Sequence, residues 1–410
     1  MTLPEQFIRH TRSIMGEERF SRFLAAMDEE PPVSIRLNPQ KCHATERPSD
    51  RTATQVPWCP LGYYLAQRPN FTFDPLMHAG CYYVQEAASM FVHHVVQQTV
   101  SPNPLTVLDL CAAPGGKSTA LRSVLPADCL LVSNEPVRQR AQVLSENIQK
   151  WGYVGCLVTN NYARDFRRAG FVFDFILADV PCSGEGMFRK DPASIGEWSQ
   201  QNVERCQRLQ REILEDIWPC LRPDGILIYS TCTYNTREDE ENVQWMEQTF
   251  GAEVLPVPTE PGWGITGSLL QGYDAPVCRF IPGLTRSEGL FVAVIRKPGS
   301  DTIRPLAGKA LASKLKGLNV LFASTPQPPC PTAELPYPTA IAYLRREAIV
   351  LPPDTPRGLV EVCFQGHPLG LVKNIGTRAN NLYPREWAIK STHVPTTYDG
   401  SKVLWREAKS

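Results

Sequence analysis

Thr106-Val107-Leu108-Asp109-Leu110-Cys111-Ala112-Ala113-Pro114-Gly115-Gly116-Lys117-Ser118 is the stretch on which the fold turns. Its apolar start reads as a buried strand, its two adjacent glycines as a tight turn, and residues 117–125 as a helix. The loop is not a dinucleotide GxGxxG. Nor is it a P-loop, which needs four residues between its glycines before Lys-Ser, so Gly116-Lys117-Ser118 is a poor phosphate signal. Adjacent glycines instead admit a ligand close to the backbone at a helix N-terminus. Glu135 stands twenty residues past Gly115, just after a second strand at 129–133. An acidic residue there takes ribose hydroxyls. The ligand is then a nucleoside without obligatory pyrophosphate recognition, and S-adenosylmethionine fits. The alternative is a tight strand-to-helix turn beside a surface glutamate.

Outward from this stretch, strands and helices alternate. Further strands are predicted at 156–159, 173–177, 226–229 and 288–296, and further helices at 137–151, 197–221 and 238–250. That order implies right-handed βαβ units and a parallel sheet. Two later strands run into polar motifs built to expose a cysteine. One is Asp179-Val180-Pro181-Cys182-Ser183-Gly184-Glu185-Gly186, the other Ser230-Thr231-Cys232-Thr233-Tyr234. In open α/β sheets the carboxyl ends of the strands hold the ligand crevice. A cofactor loop and a cysteine pair would therefore face one substrate.

Carbon 5 of cytosine is a poor nucleophile, and a thiolate adding to carbon 6 makes it enamine-like. It can then attack a sulfonium methyl group before a base removes the carbon-5 proton and the thiolate leaves. The thiolate must be exposed and its pKa lowered, which the helix predicted to start near Glu238 could do for Cys232. Asp179 can hydrogen-bond the ring nitrogen or amino group of the base. Cys129, Cys156, Cys206 and Cys220 read instead as inert core thiols. Asp-Val-Pro-Cys is similar to the Asp-Pro-Pro-Tyr loop of amino-group methyltransferases, where an aromatic ring stacks on the base. With Cys182 in fourth place, attack on a ring carbon is the better reading.

Composition sets the bounds. A chain of 410 residues implies two to three domains. Its thirteen cysteines show no paired spacing, so neither a disulfide framework nor a metal site is expected. Free thiols, a polar N-terminus and no run of ~18–20 apolar residues predict a cytoplasmic protein without a membrane span. Residues 4–30 show helical spacing, stopped by Pro31-Pro32. A strand at 34–39, a loop over 40–60 and a helix running through Val96 follow. Six prolines at 326–338 suggest a linker, and strand-like runs at 358–364 and 369–373 a small β-rich module. Residues 305–410 hold thirteen Lys and Arg against seven Asp and Glu, a net of +6 on a body of −6. Arg345, Arg346, Lys373, Arg378 and Arg385 interleave there with Tyr343, Tyr383 and Trp387, a pattern suited to holding phosphates and stacking on unpaired bases.

Three strings now carry a resemblance: 108–117 with Asn134-Glu135, Asp179 through Met187-Phe188-Arg189-Lys190, and Ser230-Thr231-Cys232-Thr233. The chain resembles the Sun/Nol/Nop RNA 5-cytosine methyltransferases, and the 179–190 string is most similar to the bacterial RsmF type, which acts on small-subunit ribosomal RNA. Residues 34–38 and 78–90 match that family's N-terminal part. Gly366-His367-Pro368-Leu369-Gly370 and Asn381-Leu382-Tyr383-Pro384-Arg385 resemble its PUA-like module.

The resemblance implies a Rossmann-like α/β class I methyltransferase sheet over 101–300. It adds a small N-terminal α/β RNA-binding extension over 1–100, and a linker with a C-terminal PUA-like β-rich RNA-binding module over 301–410. Cys232 would be the nucleophile and Cys182 the assistant in proton removal and release, with Asp179 and Lys117 in the catalytic group. S-adenosyl-L-methionine would lie on Cys111, Ala112, Ala113, Pro114, Gly115, Gly116 and Lys117, with Glu135 on its ribose, Asn161 on its adenine side and Asp179 at the reacting centre. DNA cytosine methyltransferases use the Pro-Cys cysteine as nucleophile, so Cys182 rivals Cys232. Two departures stand out: Asn161 replaces a usual acid, and Pro282 is followed by Gly283 where the family often has His. The expected partner is RNA, either small-subunit ribosomal RNA or the assembling subunit, met by a monomer. The alternatives are a transfer-RNA methyltransferase and a non-catalytic RNA-binding assembly factor.

Overall fold

The computed structural model describes residues 1–410 except 43–45, 49–51, 101–104, 302–305, 326–327, 396, 399–402 and 407–410. The N-terminal part comprises helices α1 (Glu5–Met15) and α2 (Glu17–Met27), then strands β1 (Val33–Leu37), β2 (Glu46–Pro48), β3 (Thr54–Gln55), β4 (Gly62–Leu65) and β5 (Tyr82–Val84). The single helix expected over 4–30 is two, because Gly16 adopts φ 74° between them. The supposed loop at 40–60 contributes β2 and β3, too short to show a period-2 pattern.

The central sheet is built from β6 (Thr106–Asp109), β7 (Leu130–Asn134), β8 (Cys156–Thr159), β9 (Phe173–Asp179), β10 (Leu221–Thr231), β11 (Glu253–Leu255), β12 (Cys278–Phe280), β13 (Leu290–Arg296) and β14 (Val320–Ala323). Among the described residues its order is β11-β13-β10-β9-β6-β7-β8-β14, with β12 on β13. Strands β8 through β10 in that order run parallel, while β13 and β14 join antiparallel. From β6 the chain winds outward through β7 and β8, then returns to β9 on the other side. The switch point therefore lies between β6 and β9, where such sheets open a ligand crevice. Phe173, Phe175, Ile176 and Leu177 are all buried, the near-continuous apolar run that a sheet covered on both faces requires.

The helix expected over 197–221 ends at Ile217. Pro219 interrupts it, and Leu221 already belongs to β10. The expected boundaries near 101 and 301 border residues outside the described set. The sheet itself continues past 300, since β14 returns to pair with β8.

Strands β15 (Thr332–Glu334), β16 (Gly358–Phe364), β17 (His367–Asn374) and β18 (Ala379–Asn381) form the C-terminal sheet beside helix Tyr337–Leu344, and β19 (Leu404–Arg406) pairs with β2. The proline-rich stretch is thus more than a linker. Pro326 lies outside the described residues, but Pro331 leads into β15, and Pro338 sits in the first turn of the helix, where its missing N–H costs nothing. Among the described residues no helix is long and apolar enough to cross a membrane.

Candidate active site

Three strand ends converge. Helix Gly116–Val124 follows β6 through Gly115, whose φ is +114° and whose added Cβ would lie 3.2 Å from Leu144 Cδ1. In the first turn of that helix Lys117 reaches to Asp179 at the end of β9, Nζ to Oδ2 2.7 Å. The other oxygen of Asp179 accepts from Ser230 Oγ on β10 at 2.7 Å. Burial lowers the affinity of Lys117 for its proton, but the charge and hydrogen bond of Asp179 outweigh it and leave the ammonium above its ordinary pKa.

Within electrostatic reach of these groups are two carboxylates with unused acceptors. Asp109 is fully buried. Its Oδ2 accepts from Ser118 Oγ at 2.6 Å, and its Oδ1 has no hydrogen-bond partner. Burial pushes its pKa up to about 7, against the Ser118 hydrogen bond. Glu135 is equally buried. Oε1 accepts from the Val137 amide at 3.1 Å, Oε2 lies 3.4 Å from Arg140 Nη1 in an ion pair, and Oε2 accepts no hydrogen bond. Buried acceptors left unmatched are costly, so both suit a ligand bearing hydroxyl or ammonium donors. The surface-glutamate alternative for Glu135 is excluded by its 1 % exposure.

Cys111 is held as a neutral thiol by burial, then by the charges of Glu135, Asp109 and Asp179. Asn161 is not open to a base. Its Nδ2 donates to the Asn319 carbonyl at 3.2 Å and its Oδ1 accepts from the Asn319 amide at 3.0 Å, tying the turn after β8 to the segment entering β14. An aspartate could not make the first bond. Asn134 stitches the neighbouring ends, donating to the carbonyls of Leu110 and Asn161 and accepting from the Asn161 amide.

The two cysteines meet. Cys182 Sγ and Cys232 Sγ are 3.1 Å apart, both half-buried, at the mouths of adjacent strands. The hydrogen bond to Cys232 comes first, burial second, in holding the Cys182 thiol well above its ordinary pKa, and either sulfur can donate across the contact. The helix expected near Glu238 begins at Glu240. The cation within electrostatic reach of Cys232 is Lys117.

Residues that the sequence reading missed form the frame beneath the thiols. Gly186 N–H donates to the Cys232 carbonyl at 2.6 Å, and a Cβ at Gly186 would sit 2.6 Å from that oxygen. Glu185, from the Cys182 loop, accepts from the amides of Tyr234 and Asn235 in the other loop, and from Trp198 Nε1. Glu238, from the Cys232 loop, accepts in return from the Ser183 amide. Arg279 bridges Asp239 at 2.9 Å and Glu240 at 2.5 Å, and Asp239 accepts from Thr231 Oγ1. Helices α1 and α2, expected within an RNA-binding extension, press aromatic rings on these loops: Phe7 on Phe188 and Trp198, Phe23 on Tyr234, at centroid distances of 5.1, 5.6 and 5.0 Å.

The chain is similar to known proteins. Residues 98–296 match the family described as 16S rRNA methyltransferase RsmB/F, residues 3–87 the N-terminal domain of 16S rRNA methyltransferase RsmF, and residues 330–389 the methyltransferase RsmF PUA domain. Ribosomal RNA small subunit methyltransferase F of Pectobacterium atrosepticum is 33% identical over 328 residues, a match covering 75% of this chain and 65% of that relative. The protein of the same name from Salmonella agona is 30% identical over 468 residues, covering 93% and 96%. A methyltransferase homolog protein from Pyrococcus horikoshii superposes with a TM-score of 0.60 at 26% identity, covering 72% of this chain and 95% of that one. NSun6 from Pyrococcus horikoshii has the same TM-score at 19% identity, covering 72% and 99%, a likeness of fold alone.

Proposed function

Since this chain belongs to the family of the ribosomal RNA small subunit methyltransferases F, we propose that it methylates carbon 5 of a cytosine in 16S ribosomal RNA through a covalent bond from Cys232 to carbon 6. The observation that carries this reading is the thiol pair, 3.1 Å apart, at the end of the strand whose Asp179 pairs with Lys117.

S-adenosylmethionine, when bound, supplies an electrophilic methyl group on sulfur. The loop from Cys111 to Lys117 would hold its methionine end and Glu135 its ribose. Asn161, occupied by Asn319, supports the adenine edge rather than contacting the base. Cys182 donates its S–H to the Cys232 sulfur and so favours the thiolate there. As that sulfur bonds to carbon 6, negative charge spreads onto the pyrimidine ring. Asp179 accepts from the exocyclic amino group, and the Lys117 ammonium offsets the developing charge. Once carbon 5 carries the methyl group, its proton passes to a solvent water, the electron pair of that bond restores the ring double bond, the carbon–sulfur bond breaks, and Cys232 leaves as a thiolate to the hydrogen bond that Cys182 offers. Cys182 thus assists release.

The test is bisulfite sequencing of ribosomal and transfer RNA from a deletion strain. Loss of a 5-methylcytosine from 16S ribosomal RNA is expected. An unchanged ribosomal profile with a lost transfer-RNA site would overturn the substrate, and no lost site in either RNA would overturn the activity.

A further inference from the structure

Cys182 and Cys232 lie 3.1 Å apart, so when one of the two thiols ionises, the remaining proton can rest on either sulfur, and something must decide which keeps it. Glu238, fully buried, lies directly beneath the Cys182 turn. Its Oε2 accepts from the Ser183 amide at 2.9 Å and from Gln210 Nε2 at 2.8 Å, and the same Gln210 nitrogen donates to the Pro181 carbonyl at 3.0 Å. Its Oε1 accepts from Asn235 Nδ2 at 2.8 Å. The carboxylate thus clasps the backbone on both sides of Cys182, yet it has no ion pair among the described residues. The neighbouring charges are otherwise matched: Asp179 by Lys117, Asp239 and Glu240 by Arg279. Glu185, on the far side of Asn235, has backbone and indole donors instead. Cys206, packed nearby from helix Gln200–Ile217, is neutral, its pKa raised to about 11 by burial.

An unpaired negative charge therefore sits on the Cys182 side of the thiol pair and the Lys117 ammonium on the Cys232 side. We propose that Glu238 is a positioning residue that keeps the shared proton on Cys182 and so makes Cys232 the thiolate. A carboxylate close to a thiol disfavours a second negative charge there, and a cation close to the other favours it. Burial first, and Glu185 second, push the Glu238 carboxyl up to about 7. Its charge, and with it the asymmetry of the pair, therefore switches on as pH rises through neutrality. The proposal rests on Cys232 as the nucleophile of the reaction above.

The experiment is limited alkylation of the full-length protein with iodoacetamide at about pH 6 to 9, the range over which thiols begin to ionise. Peptide mass spectrometry reads the ratio of Cys232 to Cys182 modification. In the wild type Cys232 should react first, and the ratio should climb through about pH 7. Glu238→Gln keeps the size and one of the two acceptor oxygens but not the charge. It should lower the ratio about tenfold, the effect of one pH unit in relative thiol acidity, and flatten the step. Glu238→Asp should restore the step in part. A wild-type ratio in Glu238→Gln overturns the proposal. If that variant does not fold, the wild type decides alone, and a ratio flat across neutrality overturns it. Alkylation needs neither RNA nor cofactor, so failures separate. Preferential modification of Cys182 in the wild type would refute the nucleophile assignment itself. A Cys232 preference indifferent to Glu238 would refute only the role of Glu238.

Discussion

A sulfur within 3.1 Å of another has two possible parts in a covalent reaction, and single substitutions separate them. Cys232→Ala is expected to abolish methyl transfer while leaving cofactor affinity intact, because Asp109, Glu135 and the 111–117 loop are untouched. Cys182→Ala keeps the attacking sulfur but removes the donor that receives it on release. A protein–RNA adduct that survives denaturing electrophoresis should then accumulate, and methylation at the wild-type rate with no adduct would remove Cys182 from the mechanism. Both cysteines were legible from their Pro, Ser, Gly and Thr neighbours at strand ends. Their support was not. Arg237-Glu238-Asp239-Glu240-Glu241 reads as a solvated helix start, yet Glu238, Asp239 and Glu240 are all fully buried. The cation that makes this tolerable for Asp239 and Glu240, Arg279, arrives from β12, forty residues away, and no local pattern announces it. Asn161 shows the same limit. Its departure from an acid was visible, but its reason is Asn319, brought across from beyond the expected domain boundary.

At the scale of elements, the alternation of strand and helix from 106 to 296 gave the parallel sheet, because buried parallel strands are long apolar runs, but not its strand order or switch point. It could not give β14, whose residues are only half covered at an edge. Nor did it reveal what α1 and α2 do, since an apolar stripe does not name its partner. Gly283 marks that partner. Its φ is +83°, and an added Cβ would collide with the Arg22 carbonyl on α2, while Arg22 Nη2 donates to the Gly283 carbonyl at 2.9 Å. A glycine there admits the close approach of this helix. Gly283→Ala must strain the backbone or push α2 away, at a cost of roughly 2 kcal/mol or more. A fall in Tm of roughly 4–8 °C in calorimetry is expected, at about 2–4 °C per kcal/mol. Because α2 also carries Phe23 onto Tyr234, kcat should fall more than the KM for cofactor. An unchanged Tm would mean that the loop moves freely from the helix.

At the scale of the whole molecule, the N-terminal and C-terminal parts are not separate appendages of the sheet. Ile35, Leu37, Phe71, Phe73 and Leu76 share one buried cluster with Ala333, Leu335, Tyr337, Ile341, Val360 and Val372. Tyr337 donates to the Phe73 carbonyl at 3.1 Å, and β19 closes on β2. Tyr343 and Tyr383, expected as stacking platforms, are buried in that cluster, and Trp387 lies under Lys150, 5.4 Å from its ammonium. Interleaving in sequence suggested exposure, but Tyr343 lies on the core-facing side of helix Tyr337–Leu344 and Tyr383 in the segment just after β18, both packed into the shared cluster. Deleting 305–410 would therefore strip the cover from the N-terminal core, and aggregation of the truncated chain is expected. The contribution of this module to RNA affinity is better tested on exposed cations. Arg357, Lys373 and Arg378 cluster at one end of the β16–β17 hairpin: Arg357 abuts Gly376, Lys373 lies opposite Leu359 and Asn380, and the Arg378 carbonyl accepts from Ile375. None of the three has an ion pair among the described residues, so replacing them with alanine should leave Tm unchanged. Each RNA phosphate that is no longer neutralised should lower the slope of log affinity against log salt by about 0.9 if the RNA is duplex and about 0.7 if it is single-stranded. A triple variant with the wild-type slope would place the RNA contacts of this protein elsewhere, on the crevice face of the catalytic sheet.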